Sequence, residues 1–166
     1  MADLDRRPLL FLDVDGPLIP FGGDRYPTFG TVPAGANPLV ARLDPRHGPR
    51  LAALPCELVW ATTWMADAND DVAPRIGLPR LPVVVWPEPS EADEHGERAG
   101  LHWKTRALVA RAAGRPFAWV DDELTDADRA WVAEHHPGPA LLHRVDPRRG
   151  LADDDYAVLR EWLGAV

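Results

Sequence analysis

Five short apolar runs set the limits on what this chain can fold into. "PLLFLDVDGPL" (8–18), "CELVWATT" (56–63), "LPVVVW" (81–86), "RPFAWVDD" (115–122) and "PALLHRV" (139–145) are of strand length and rich in Leu, Val and Trp. They are continuous rather than alternating, which is how strands buried on both faces read. Helical patterns lie between and after them. "DPRHGPRLAAL" (44–54) offers Asp44 as N-cap with Pro45 at the first helical position, and "MADANDDVAPRIG" (65–77) closes on Gly77. "HWKTRALVARAAG" (102–114) also ends on glycine, "TDADRAWVAEHH" (125–136) starts on a Thr125 cap with Asp128 three residues on, and "DDDYAVLREWL" (153–163) comes after the last run. Strands alternating with helices imply βαβ units, right-handed crossovers and a parallel sheet covered on both sides. The expected class is α/β.

Two stretches break the rhythm. Residues 16–38 hold ten Gly or Pro among 23 residues, which predicts a loop or short hairpin. Residues 87–100, "PEPSEADEHGERAG", read as an acidic, unstructured segment. At 166 residues, with 46% hydrophobic and 27% charged, the chain has the size and balance of one globular domain, 1–166. Its start is charged within six residues and its apolar runs are short, so neither a signal peptide nor a membrane span is expected, and cytoplasm is the default location. The single cysteine, Cys56, excludes an internal disulfide and a cysteine zinc site. Net charge is -8 without a Lys/Arg cluster, which argues against strong nonspecific attraction to nucleic acid or anionic lipid.

Ligands of open parallel α/β sheets bind beyond the carboxyl ends of the strands. The residues just past each run therefore carry the most weight. Asp13 and Asp15 stand at the end of the first, Thr62 and Thr63 of the second, Asp121 and Asp122 of the fourth. Asp13 and Asp15, two apart on a strand, point the same way and repel without a cation between them. Four carboxylates at one edge suit a hard, oxygen-seeking ion that keeps some of its waters, which is the preference of Mg²⁺. Among the 18 Lys and Arg residues only Lys104 is a lysine. Its position before the fourth run offers a second positive charge; either a guanidinium does not fit there or one lysine has survived by chance. A site of Mg²⁺, lysine, hydroxyl and carboxylates is built for phosphate.

These motifs together resemble the haloacid dehalogenase (HAD) superfamily of aspartate-nucleophile phosphatases. The resemblance rests on "DVDGPL", a Thr closing the second strand, a lysine upstream of the fourth and "DD" closing it, in family order over residues 9–122. "LDVDGPL", "ELVWATTW", "GRPFAWVDDEL" and "RVDPRRGL" further resemble the standalone HAD domains grouped with Swiss Army Knife RNA repair proteins. The resemblance implies a Rossmann-like three-layer domain with a five-stranded parallel sheet, order 5-4-1-2-3, and no large cap. It implies that Asp13 attacks phosphorus, that Asp15 is the acid and base, and that Thr62, with the Thr63 backbone, and Lys104 hold the phosphoryl group. It places Asp13, Asp15 through its carbonyl, Asp121 and Asp122 around Mg²⁺. Gly16, Thr63 and Trp64 are expected at the substrate. Dehalogenases of the superfamily lack the second aspartate, so Asp15 favours phosphoryl transfer. Pro17 departs from the family's usual Thr or Val and removes a backbone donor there.

Phe21, Tyr26 and Phe29 are lid candidates, with core packing the plainer reading. The expected partner is a phosphorylated substrate, small molecule or nucleic-acid end, with no membrane; a homo-oligomer stays open, since a second subunit is one way to cover a capless site. An end-repair phosphatase predicts a basic groove, from Arg25, Arg42 and Arg46. A catalytically silent HAD-like binding protein is the remaining alternative. A response-regulator receiver fits poorly because its lysine belongs at a late strand end. The only serine, Ser90, lacks a G-x-S-x-G setting, which argues against a serine hydrolase.

Overall fold

The computed structural model describes residues 7–166, and the charged start of the chain, 1–6, lies outside them. β1 (Leu9–Leu12) runs between β2 (Glu57–Trp60) and β3 (Phe117–Asp121), with β4 (Ala140–Arg144) beyond β3. Every pairing is parallel, in the order β2-β1-β3-β4. The expected five-stranded sheet in order 5-4-1-2-3 is corrected to this four-stranded one. The run 81–86 reaches the edge of β2 but pairs only at Val83, through one bridge to Trp60. Pro82 gives its carbonyl to the Trp60 N–H and has no N–H to give in return, and prolines at 79 and 87 bracket the segment. A run so rich in proline cannot propagate a ladder.

Strand alternation divides the core in two. Leu10, Leu12, Leu58, Trp60, Ala118 and Val120 face one side. They pack against α1 (His47–Ala52), α2 (Ala73–Ile76) and α6 (Asp153–Ala165) through Leu51, Ile76, Tyr156 and Leu159. Leu9, Phe11, Val59, Phe117 and Trp119 face the other, against α4 (Thr105–Ala112) and α5 (Asp126–His135) through Leu108, Ala112 and Val132. β1, β2 and β3 thus carry apolar side chains on both faces, which is why their runs are continuous.

Local chemistry moves some boundaries. α1 starts at His47, later than expected, because the Asp44 carboxylate takes the Arg46 backbone N–H at 2.9 Å and its guanidinium at 2.6 Å instead of capping a helix. The pattern at 65–77 resolves into a π-helical turn, Ala68–Val72, that runs into α2 and stops at Gly77 with φ 80°. The acidic stretch 87–100 is corrected from unstructured to helical. Ser90 and Asp93 form a capping box and the acids of the first turn suit the helix dipole, giving α3 (Glu91–Arg98). The Arg75 guanidinium is one anchor of the 16–38 loop: it donates to the carbonyls of Phe29 and Thr31 at 2.8 and 3.0 Å, and to that of Val40, just beyond it, at 3.0 Å. No helix among the described residues is long and apolar enough to cross a membrane.

Candidate functional site

The tip of β1 is gripped from both sides. The Asp13 N–H donates to the Val120 carbonyl at 3.1 Å, and the Leu12 carbonyl accepts from Ala61 at 2.8 Å. The alternation that sends Leu9 and Phe11, with Phe117 and Trp119, toward α4 continues one step further to Asp13 and Asp121. Lys104 stands at the start of α4, on the same face. Its Nζ donates to Asp121 Oδ2 at 2.8 Å and to the Ala61 carbonyl at 2.9 Å, and stands 3.3 Å from Asp13 Oδ1. Three ammonium protons thus meet three oxygens around a side chain that is 3% exposed. A planar guanidinium does not fit that geometry, which accounts for the lone lysine.

Two of these acids flank the ammonium and a third stands beside them. Asp13, Asp121 and Asp122 each bring a carboxylate oxygen within 4.8 Å of the others. Burial pushes Asp13 up to about 8, with the Asp121 charge adding to it and the Lys104 charge opposing it. Asp122 is pushed up to about 6 by burial and by Asp121. Burial alone depresses Lys104, but the charges of Asp13 and Asp121 outweigh it and raise its pKa. Lysine by itself does not balance this cluster. An all-oxygen donor set with surplus negative charge fits a hard divalent ion. Asp13 receives the Val14 N–H at 2.8 Å and the Lys104 ammonium on Oδ1, so Oδ2 takes neither contact.

Asp15 shares a cavity of about 130 Å³ with Asp13, Thr63, Lys104 and Asp122, but its carboxylate is not part of the three-acid cluster. It accepts instead from Trp64 Nε1 at 3.2 Å. Trp64 thus holds an acid of the cavity without being among its walls. Met65, next along, turns the chain with φ 54°, a conformation that costs a non-glycine residue and commonly marks functional turns. Of the two threonines, Thr63 lines the cavity. Thr62 is fully buried, its Oγ1 taking the Trp64 N–H at 3.1 Å and its carbonyl the Trp86 indole N–H at 3.1 Å. Gly16 lies beneath the site rather than in its lining. It adopts φ 99°, and a Cβ there stands 2.8 Å from the Asp122 carboxyl, so the absent side chain is what lets the turn after β1 and Asp122 pack together.

The turn closes around Pro17 through its neighbours' donors. Its carbonyl accepts from Leu151 at 2.8 Å, while Leu18 and Ile19 both donate to Val14.

Three residues carry roles that the sequence does not announce. Asp128, fully buried, caps α5 through Thr125 and also accepts from the His102 N–H at 2.7 Å and Thr105 Oγ1 at 2.8 Å, tying the starts of α4 and α5 together beneath Lys104. The helical cap is legible, but the long-range bonds carry no signal. His102 and Glu123 form another potential ligand group with Asp121. His102 Nδ1, however, accepts the Lys104 N–H at 3.1 Å, so Nε2 carries the proton and directs it to Glu123 at 2.9 Å rather than offering a lone pair to an ion.

The lid and groove expectations divide. Phe21 lines the acidic cavity, but Tyr26 and Phe29 line a separate one of about 610 Å³. Arg42 and Arg46 line that second cavity, and Arg25 is not among its walls. Arg42 lies over the Tyr26 ring at 4.7 Å and donates to the Pro20 carbonyl, and Arg46 is bound to Asp44. Arg50 and Arg149 on the same wall pair with Asp153 and Asp154. Three of the four arginines of this cavity thus stand against carboxylates, and Arg42 lies on an aromatic ring.

The family model described as "HAD domain in Swiss Army Knife RNA repair proteins" matches residues 9–156, from the first residue of β1 into α6. The chain belongs to this family. No curated protein and no solved structure matches it significantly. The family match spans every strand of this HAD domain, both acidic strand tips and the lysine between them.

Proposed function

We propose that this HAD domain is a Mg²⁺-dependent phosphomonoesterase working through an aspartyl phosphate on Asp13. The observation that carries the proposal is the state of Asp13: one oxygen is fixed by Val14 and Lys104, the other takes neither of those contacts, and a small acidic cavity lies in front of it. Asp13, Asp121 and Asp122, with the Asp15 carbonyl, would hold the metal, which would supply positive charge to the transferring phosphoryl group. The geometry supports the rest through the chain's own groups. Asp13 Oδ2 attacks phosphorus as the bond to the ester oxygen breaks. Asp15, oriented by the Trp64 indole, gives its proton to that leaving oxygen. The same carboxylate then takes a proton from a water that attacks phosphorus, breaking the bond to Asp13 and releasing phosphate. Lys104 offsets charge throughout, and Thr63, a wall of the cavity, donates to a phosphoryl oxygen.

A terminal phosphate on nucleic acid is the second reading, favoured by the family's description as a domain of RNA repair proteins. The silent binding protein loses ground because the acids and the lysine converge in one cavity. The test is a phosphate-release screen over phospho-sugars, nucleotides and end-phosphorylated oligonucleotides, with Mg²⁺ or with EDTA. Release that requires Mg²⁺ and disappears in Asp13→Asn supports the proposal; metal-independent or mutant-insensitive release refutes it.

A further inference from the structure

The acidic cavity holds about 130 Å³. That is small beside the roughly 300–1,000 Å³ of ordinary ligand pockets, so the part of an ester beyond its phosphoryl group extends past it. Whatever carries the phosphate must lie across the mouth. Phe21 and Trp103 are 42% and 38% exposed, the exposed Phe and Trp side chains among the described residues, and both line this one cavity. Single exposed apolar residues are ordinary. Two large aromatic rings converging on the one pocket that holds the acids and the lysine are not.

The Trp103 ring is packed in place, and the Phe21 backbone is tied down. The Trp103 ring meets Trp86 edge-on, with centroids 4.8 Å apart at 74°, and stacks on His102 at 5.6 Å and 28°. It also lies 5.7 Å from Lys104 Nζ, which ties the ring to the phosphoryl end of the site. Phe21 is anchored through its N–H to the Pro147 carbonyl at 2.8 Å. Asp15 and Glu123, also walls of this cavity, are acidic and disfavour a second anionic group directly beside the scissile phosphate. A planar, uncharged ring next to that phosphate satisfies both conditions.

We propose that Phe21 and Trp103 form a stacking rim that selects phosphomonoesters whose alcohol carries a planar aromatic ring, the nucleotide being the biological form. The proposal rests on the phosphomonoesterase reading for its turnover but not for its binding. Base–aromatic stacking is sequence-tolerant and strong enough to shift binding by about tenfold or more.

The test compares kcat/KM for nucleoside monophosphates, ribose 5-phosphate and glycerol phosphate in wild type, Phe21→Ala, Trp103→Ala and Trp103→Phe, with a short end-phosphorylated oligonucleotide as a further substrate. The expected result is a preference of about tenfold or more for nucleotides over ribose 5-phosphate, expressed in KM, reduced by either alanine and largely kept by Trp103→Phe. A faster reaction on the oligonucleotide or on the free nucleotide identifies the source of the ring, and both support the rim. Equal kcat/KM for nucleotide and ribose 5-phosphate, or a preference that survives both alanines, overturns it. Calorimetric binding of the same ligands to Asp13→Asn with Mg²⁺ separates the two claims. If wild type hydrolyses nothing while Asp13→Asn binds nucleotide tighter than ribose 5-phosphate, the rim stands and the phosphomonoesterase reading falls. Binding without that difference overturns the rim.

Discussion

Lys104 Nζ donates to Asp121 Oδ2 at 2.8 Å, with both side chains almost wholly out of water. The pair links the helix that precedes β3 to the tip of β3 itself, and it leaves the ammonium 3.3 Å from Asp13. Lys104→Arg, though it keeps the charge, is expected to lower kcat/KM by about a hundredfold or more, since a guanidinium fork does not reach Asp13, Asp121 and the Ala61 carbonyl together. Lys104→Met removes a partner from a buried cluster and is expected to cost about 3–5 kcal/mol of stability in EDTA, less with Mg²⁺. Steady-state kinetics and thermal unfolding read the two effects.

The Asp13 shift gives a pH dependence with a definite sign. The ordinary value is 3.8 and burial pushes the folded value up to about 8. Between those values the metal-free folded protein keeps a proton that the unfolded chain has released. The associated stability is therefore complete below about pH 4 and is lost as pH rises through about 8. Mg²⁺ needs the ionised carboxylate, so the rise in Tm that it produces should grow across the same window. In Asp13→Asn the metal-free slope should flatten. A Mg²⁺ shift that does not change with pH would contradict the assignment.

Gly16→Ala adds one methyl group where φ is 99° and the Asp122 carboxyl is 2.8 Å away. The expected cost is about 1–3 kcal/mol of stability, from the left-handed backbone and from the clash. Displacement of Asp122 should also weaken Mg²⁺ binding, which a calorimetric titration of the variant measures.

Trp64→Phe keeps most of the ring and removes the indole donor to Asp15. The expected outcome is a fall in kcat of about tenfold with KM nearly constant, because a misoriented acid affects the reaction and not ground-state binding. An equal rise in KM would assign Trp64 to the substrate instead.

Legibility in the sequence tracks the range of the interactions involved. Asp13, Asp15, Asp121 and Asp122 are legible because each ends an apolar run, and parallel strands bring such ends to one edge. Lys104 stands out by rarity. The choice between Thr62 and Thr63 is not legible, since one residue along a turn separates a buried cap from a cavity wall. The 81–86 run looks like the other strands in apolar content, but Pro82 withholds the donor that a ladder needs. α3 escapes a sequence reading because none of its residues is buried, so no apolar periodicity betrays it; only its Ser90–Asp93 cap does. The setting of these arginines is hidden for a related reason: charge counts register Arg46, Arg50 and Arg149 but not the carboxylates of Asp44, Asp153 and Asp154 that stand against them.

The most direct test of the account is the covalent state of Asp13 during turnover. Wild type is mixed with Mg²⁺ and a hydrolysed phosphomonoester, quenched in acid, and its peptides are mapped by mass. The account predicts a phosphoryl group on the peptide containing Asp13, absent without Mg²⁺ and absent in Asp13→Asn. Phosphate release at the wild-type rate from Asp13→Asn, with no phosphorylated peptide in either protein, would contradict it.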